Sequence, residues 1–255
     1  MTIPQRMHDV TDERSSADRT SVKIGTACVI IGSLTVFAAR ATHGDLPTDT
    51  GANTLSYVAS YPIYHIVHLV ANLGVLIWAV GLYALSSSFK QPVAQAIGRI
   101  ATAAAIIGAA VYIVDFSIDG YALASLADRW QDASQAERAD LAFGSELVET
   151  ALGGISLGSL LILWGVVPTL DGVALAREGY SRWLSGTGVI IGVAMFSTAV
   201  AQFVVSVQQT GETALGLAVY AIIPLAALLW SAFLGIAIWQ RTRVGITVAV
   251  AAGRC

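Results

Sequence analysis

Apolar blocks separated by short polar stretches set the pattern of this chain. The first 22 residues are polar and charged, with Arg6, Asp9, Asp12, Glu13, Arg14, Asp18 and Arg19, and show no apolar periodicity. Six apolar blocks follow, at about 23–42, 62–86, 97–119, 142–167, 184–207 and 215–240. Each holds roughly the 20 residues that a helix needs to cross a bilayer. The pattern predicts an all-α integral membrane protein, a six-transmembrane-helix bundle in a single domain over 23–241. A flexible polar tail (1–22) precedes it and a C-terminal tail (242–255) follows.

The connections differ. Residues 43–60 carry Gly44, Pro47 and Gly51, which read as turns. Residues 120–141 look helical from Ala122 to Trp130. Asp132 and Gln135 there fit a capping box before Ala136. The third and fourth helices are therefore expected to project beyond the bilayer as a cap. The opposite loops are short and polar.

Lys23-Ile-Gly-Thr-Ala-Cys-Val-Ile-Ile-Gly32 matches Arg99-Ile-Ala-Thr-Ala-Ala-Ala-Ile-Ile-Gly108 and, less fully, 183–192. These segments open spans one, three and five, which implies three pseudo-repeated helical hairpins in parallel orientation. In that frame His65-x-x-His68 corresponds to Glu146-x-x-Glu149, with Tyr220 as the approximate counterpart on span six. Gly154-x-x-x-Gly158 and Gly188-x-x-x-Gly192 are expected to let helices approach closely. Pro224 is expected to kink span six.

Composition supports the membrane reading. The chain is 55% hydrophobic and 12% charged, against about 25% charged residues in soluble domains. A net charge of -3 with no basic block argues against nucleic acid as a partner. Two cysteines, Cys28 and Cys255, form no disulfide framework. No cleavable signal is visible, so the first span is expected to act as an uncleaved anchor. With the N-terminus inside, 11 of the 14 Lys and Arg residues fall on the cytoplasmic side. That places both termini in the cytoplasm and makes this a multi-pass cell-membrane protein, with membrane lipid as its surroundings.

This topology sets the depth of the polar residues. Arg40, Thr42 and His43 end span one on the outer side. His65, His68 and Asn72 share a face at the outer end of span two. Tyr112, Asp115 and Asp119 do so on span three, and Glu146 and Glu149 on span four. Thr198, Gln202 and Ser206 step by four along span five, and Tyr220 lies in the outer part of span six. Ionisable groups inside a bilayer are costly and face a bundle interior or a wet cavity. A polar cavity in the outer half is therefore expected.

Four carboxyls packed with few cations need a metal ion or protons. His65, His68, Glu146, Glu149 and Asp115 form the candidate metal set, for iron, zinc or manganese. Asp115, Asp119, Glu146 and Glu149 are the candidate catalytic acids and bases. Asn72, Tyr112, Gln202, Tyr220 and Arg40 are candidates for substrate binding. Haem is disfavoured, because His65 and His68 share one helix face. The expected function is a membrane-embedded enzyme acting on a small lipophilic molecule. The alternatives are a metal-free acid–base isomerase or cyclase of an isoprenoid-like substrate, and a proton-coupled transporter or ligand-binding membrane protein.

Overall fold

The computed structural model describes residues 3–44, 46–47, 49–205 and 214–252, with side chains described within 20–44, 46–47, 49–204 and 216–242. Ser206 lies outside the described residues. Every regular element among them is helical: α1 (Ile3–His43), α2 (Gly51–Ser60), α3 (Tyr64–Ser86), α4 (Pro92–Ser117), α5 (Ala124–Asp132), α6 (Gln135–Leu160), α7 (Val167–Arg177), α8 (Arg182–Val205), α9 (Ala214–Leu217) and α10 (Ile223–Ala252). Three π-helical segments interrupt them: π1 (Ile118–Leu123), π2 (Leu161–Val166) and π3 (Ala218–Ile222). Six helices are long and apolar enough to cross a membrane. Residues 3–22 continue the first span's helix rather than standing apart as an irregular tail.

The spans form a closed ring in chain order. α1 packs on α3, α3 on α4, α4 on α6 and α7, α7 on α8 and α8 on α10, and α10 returns to α1. Successive hairpins would generate this order.

The tightest seam joins α1 and α3. A Cβ on Gly32 would strike the Trp78 backbone nitrogen, and one on Gly81 would come 2.6 Å from Val29 N. Only glycine allows these backbones to touch, as small residues do between membrane helices. Gly188 and Gly192 serve the same purpose, against the Trp230 ring and against Thr169 with the Gly165 carbonyl. Gly154 and Gly158 do not: nothing lies within 4 Å of a Cβ at either.

The third and fourth spans run without a break in helical structure over 41 and 43 residues. At about 1.5 Å per residue each is roughly 60 Å long, twice the hydrocarbon thickness of about 30 Å. The surplus forms the expected cap. There Leu55, Val58, Tyr64, Leu123, Ala127 and Leu141 bury one another in a second hydrophobic core. The turn into α6 is capped by Ser134, whose N–H donates to Glu137 Oε2 at 2.9 Å. Asp132 ends α5, so the box begins two residues later than its sequence suggests.

Two prolines shape the bundle interior. Pro168 has no N–H for the carbonyl of Trp164 four residues earlier, and Pro224 has none for Tyr220. In both places the helix widens into a π segment, π2 and π3. The freed Tyr220 carbonyl is not left bare. Arg40 Nε and Nη2 donate to it at 3.1 and 2.9 Å, tying span six to span one.

Candidate functional site

α1 ends at His43 because Gly44 takes φ +71°, a left-handed conformation suited to glycine. The turned Gly44 carbonyl accepts from His43 Nδ1 at 3.0 Å and from Arg40 Nη1 at 3.2 Å. The Arg40 Nη1 to His43 Nδ1 distance is longer, 3.4 Å, so the carbonyl is the better partner of that nitrogen. Cap residues hold the same helix end. Tyr57 and Tyr61 donate their hydroxyls to the His43 and Thr42 carbonyls, at 2.9 and 2.6 Å.

On α3, His68 is buried and its Nδ1 lies 2.7 Å from the Tyr64 carbonyl one turn earlier. A carbonyl only accepts, so Nδ1 carries the proton in both rings; this tautomer is assigned from the hydrogen bonds. In the neutral rings, both Nε2 atoms then present lone pairs.

Those lone pairs meet. His43 Nε2 and His68 Nε2 are 3.1 Å apart. Asp119 Oδ2, from π1, lies 3.0 Å from His68 Nε2 and 3.7 Å from His43 Nε2. Asp119 Oδ1 accepts from the Tyr64 hydroxyl. Three acceptors thus converge with no donor among them, an arrangement that needs a cation or an added proton. These three residues form a group that could hold a metal ion. A point about 1.9 Å from all three atoms lies in their plane, so an ion slightly above it reaches bonds of about 2.1 Å, the length of zinc–imidazole and zinc–carboxylate bonds. The surrounding bonds match what metal ligands require. Each imidazole donates its other N–H to a carbonyl, and the second carboxylate oxygen is hydrogen-bonded. Gly120 gives the His68 ring its room, because a Cβ there would strike His68 Cβ.

Beside the triangle lies a cavity of about 130 Å³. Its polar wall includes Arg40, His43, Tyr112, Asp115, Asp119 and Ser156, and Tyr220 also lines it. Its apolar wall includes Val36, Leu160, Trp164 and Leu228. The three π segments each supply a lining residue, Asp119, Trp164 and Tyr220. π bulges often mark functional sites, since they re-aim side chains that a regular helix would place elsewhere. Within the cavity the Ser156 hydroxyl lies 2.9 and 2.7 Å from the two oxygens of Asp115.

The expected site residues divide. His68, Asp115, Asp119, Arg40, Tyr112 and Tyr220 come together. His65 does not; it is exposed. The buried stripe of α3 runs through Tyr64, Val67, His68, Ala71, Val75 and Trp78, and position 65 falls off that stripe. His43 and Asp119 take the places expected for His65 and the glutamates. Glu146 is exposed and belongs to the cap, accepting from Gly51 N at 3.2 Å. Glu149 is half-buried and accepts from Ser145 Oγ at 2.9 Å. Asn72 donates to Ser117 Oγ at 3.1 Å and lies off the cavity. Gln202 is buried on α8, likewise off the cavity.

Two residues, Ser156 and Asp171, are not legible from the sequence pattern. Ser156 carries no sequence signal that sets it apart as a partner of Asp115, whereas Tyr64 is within reach of His68 by spacing alone. Asp171 is buried on α7, far along the fourth span, with no hydrogen bond to Oδ2. His43 is recognisable from the sequence as a further imidazole near the level of His68, but not as its partner in one site. Its pairing with a C-terminal glycine, at the level of His68, was the available signal.

Compared with protein-family models, curated proteins and solved structures, the chain has no significant match.

Proposed function

We propose that this chain is a membrane-embedded metalloenzyme, with His43, His68 and Asp119 holding one divalent ion of zinc, iron or manganese against the cavity. The observation that carries this reading is the triangle of three acceptor atoms whose partner atoms are all engaged elsewhere. Three protein ligands leave a position open, as catalytic sites do and closed structural sites do not. Two imidazoles and one carboxylate, without thiolate, suit these borderline and hard ions.

Cavity size bounds the substrate. About 130 Å³ is below the roughly 300 Å³ at which ligand pockets usually begin, and near the ~150 Å³ of a cavity that takes benzene. The reacting part is therefore small, either a whole molecule or the polar end of a lipophilic one.

Elemental analysis of detergent-purified protein tests the metal. About one ion per chain is expected, lost in His43→Ala, His68→Ala and Asp119→Ala and kept in His65→Ala and Glu146→Ala. Retention of the ion in all three ligand variants would sink the assignment.

One observation favours a second reading. Distances of 3.1 and 3.0 Å also suit a charged His68, whose Nε2–H can donate to His43 Nε2 or to Asp119 Oδ2, one at a time. A His43–His68–Asp119 chain sharing a proton would suit acid–base isomerisation, and wild-type protein would then carry no stoichiometric metal. Transport has less support. From Ser156 to Asp171 the fourth span rises about 22 Å, past buried Leu160, Leu163, Trp164 and Val167.

A further inference from the structure

Asp115 lines the cavity one helical turn from Asp119 and is 3% exposed. The Ser156 hydroxyl is its hydrogen-bond donor, placed between both oxygens. One hydroxyl proton fills only one of about four acceptor positions on a carboxylate. No cation among the described residues lies within ion-pairing distance of Asp115, since the ion pairs there both belong to Asp119. Arg40 directs Nε, Nη1 and Nη2 to the Tyr220 and Gly44 carbonyls. The other titratable groups lining the same cavity are His43, Tyr112, Asp119 and Tyr220. Asp119 has less spare capacity, because Tyr64 engages Oδ1 and the triangle engages Oδ2.

Resting on the metal reading above, we propose that Asp115 is the acid–base residue of the site, and that its ligand is a small protic molecule, H–X. As the X–H bond breaks, X coordinates the ion, the proton forms an O–H bond on Asp115, and one coordinated water leaves. The ion gains one negative charge while Asp115 loses one, so the net charge of the cavity does not change. In a low-dielectric space that constancy matters, because an added unpaired charge is expensive. The cavity limits H–X to about six non-hydrogen atoms, the size of benzene: water, a short alcohol or a weak acid.

The test uses the full chain in detergent micelles, loaded with cobalt(II), with azide as the probe. Cobalt binding is read first, from visible absorption bands absent in His68→Ala. Wild-type protein that takes up no cobalt would remove the metal reading, and this proposal with it. Azide is then titrated into weakly buffered protein near neutral pH. Uptake of about one proton per azide bound is expected in the wild type and close to none in Asp115→Asn. Two results would overturn the proposal while leaving the metal site intact: no uptake in the wild type, or equal uptake in Asp115→Asn. Loss of cobalt from Asp115→Asn would make Asp115 a ligand instead, which also overturns it.

Discussion

Tyr64 belongs to two structures at once. Its ring is part of the cap core, its hydroxyl donates to Asp119 and its carbonyl orients His68. Tyr64→Phe keeps the ring and the carbonyl and removes only the hydroxyl. Hydrogen-bond partners of metal ligands commonly account for 10–100-fold in affinity, and a loss of about that size is expected here. Competition against a chelator of known affinity measures it, and unchanged metal affinity would show that Tyr64 is only packing. The single-residue scale is also where the sequence was hardest to read. His65 and His68 are equally polar, and their spacing of three puts both near one face. Which of them points inward depends on helix rotation by a fraction of a turn. The apolar neighbours Val67, Ala71, Val75 and Trp78 decide it, and they share the stripe of 68 rather than of 65. Asp115 and Asp119 kept their expected level because their own helix turns both toward the cavity.

Among the elements, the spans were plain from the length of their apolar runs, because lipid demands that length whatever the tertiary contacts. The π segments were not plain. A proline shows that a carbonyl is released, but not whether the helix bends, widens or finds a new donor. In span six the donor comes from Arg40 on span one, a partner distant in sequence. Arg40→Met leaves the Tyr220 carbonyl without its donor. The expected loss is about 1 kcal/mol or somewhat more, toward the lower end of the ~1–3 kcal/mol range because the contact is only partly buried. Pro224→Ala restores an N–H four residues along, so adding it to Arg40→Met should recover part of that loss. A double-mutant cycle on unfolding in detergent reads the coupling. Strict additivity would mean that the proline and the arginine are independent.

Across the whole molecule, the ring brings the ends of α1, α3 and α4 together at one level, and a bound ion would tie them. An ion that binds only the folded chain stabilises it by about 4 kcal/mol when present at 1,000 times its dissociation constant. For a chain of this size each kcal/mol shifts the melting temperature by roughly 2–4 °C. Chelation should therefore lower the midpoint by about 10 °C in wild-type protein and scarcely move it in His68→Ala, as intrinsic tryptophan fluorescence during heating would show. The order of the ligands along the chain carries one more consequence. His43, His68 and Asp119 lie on the first three spans. A ribosome that has delivered only half of the polypeptide has already supplied every ligand. The later helices then add Ser156, Trp164 and Tyr220, so the chamber is built around a centre whose parts were made first.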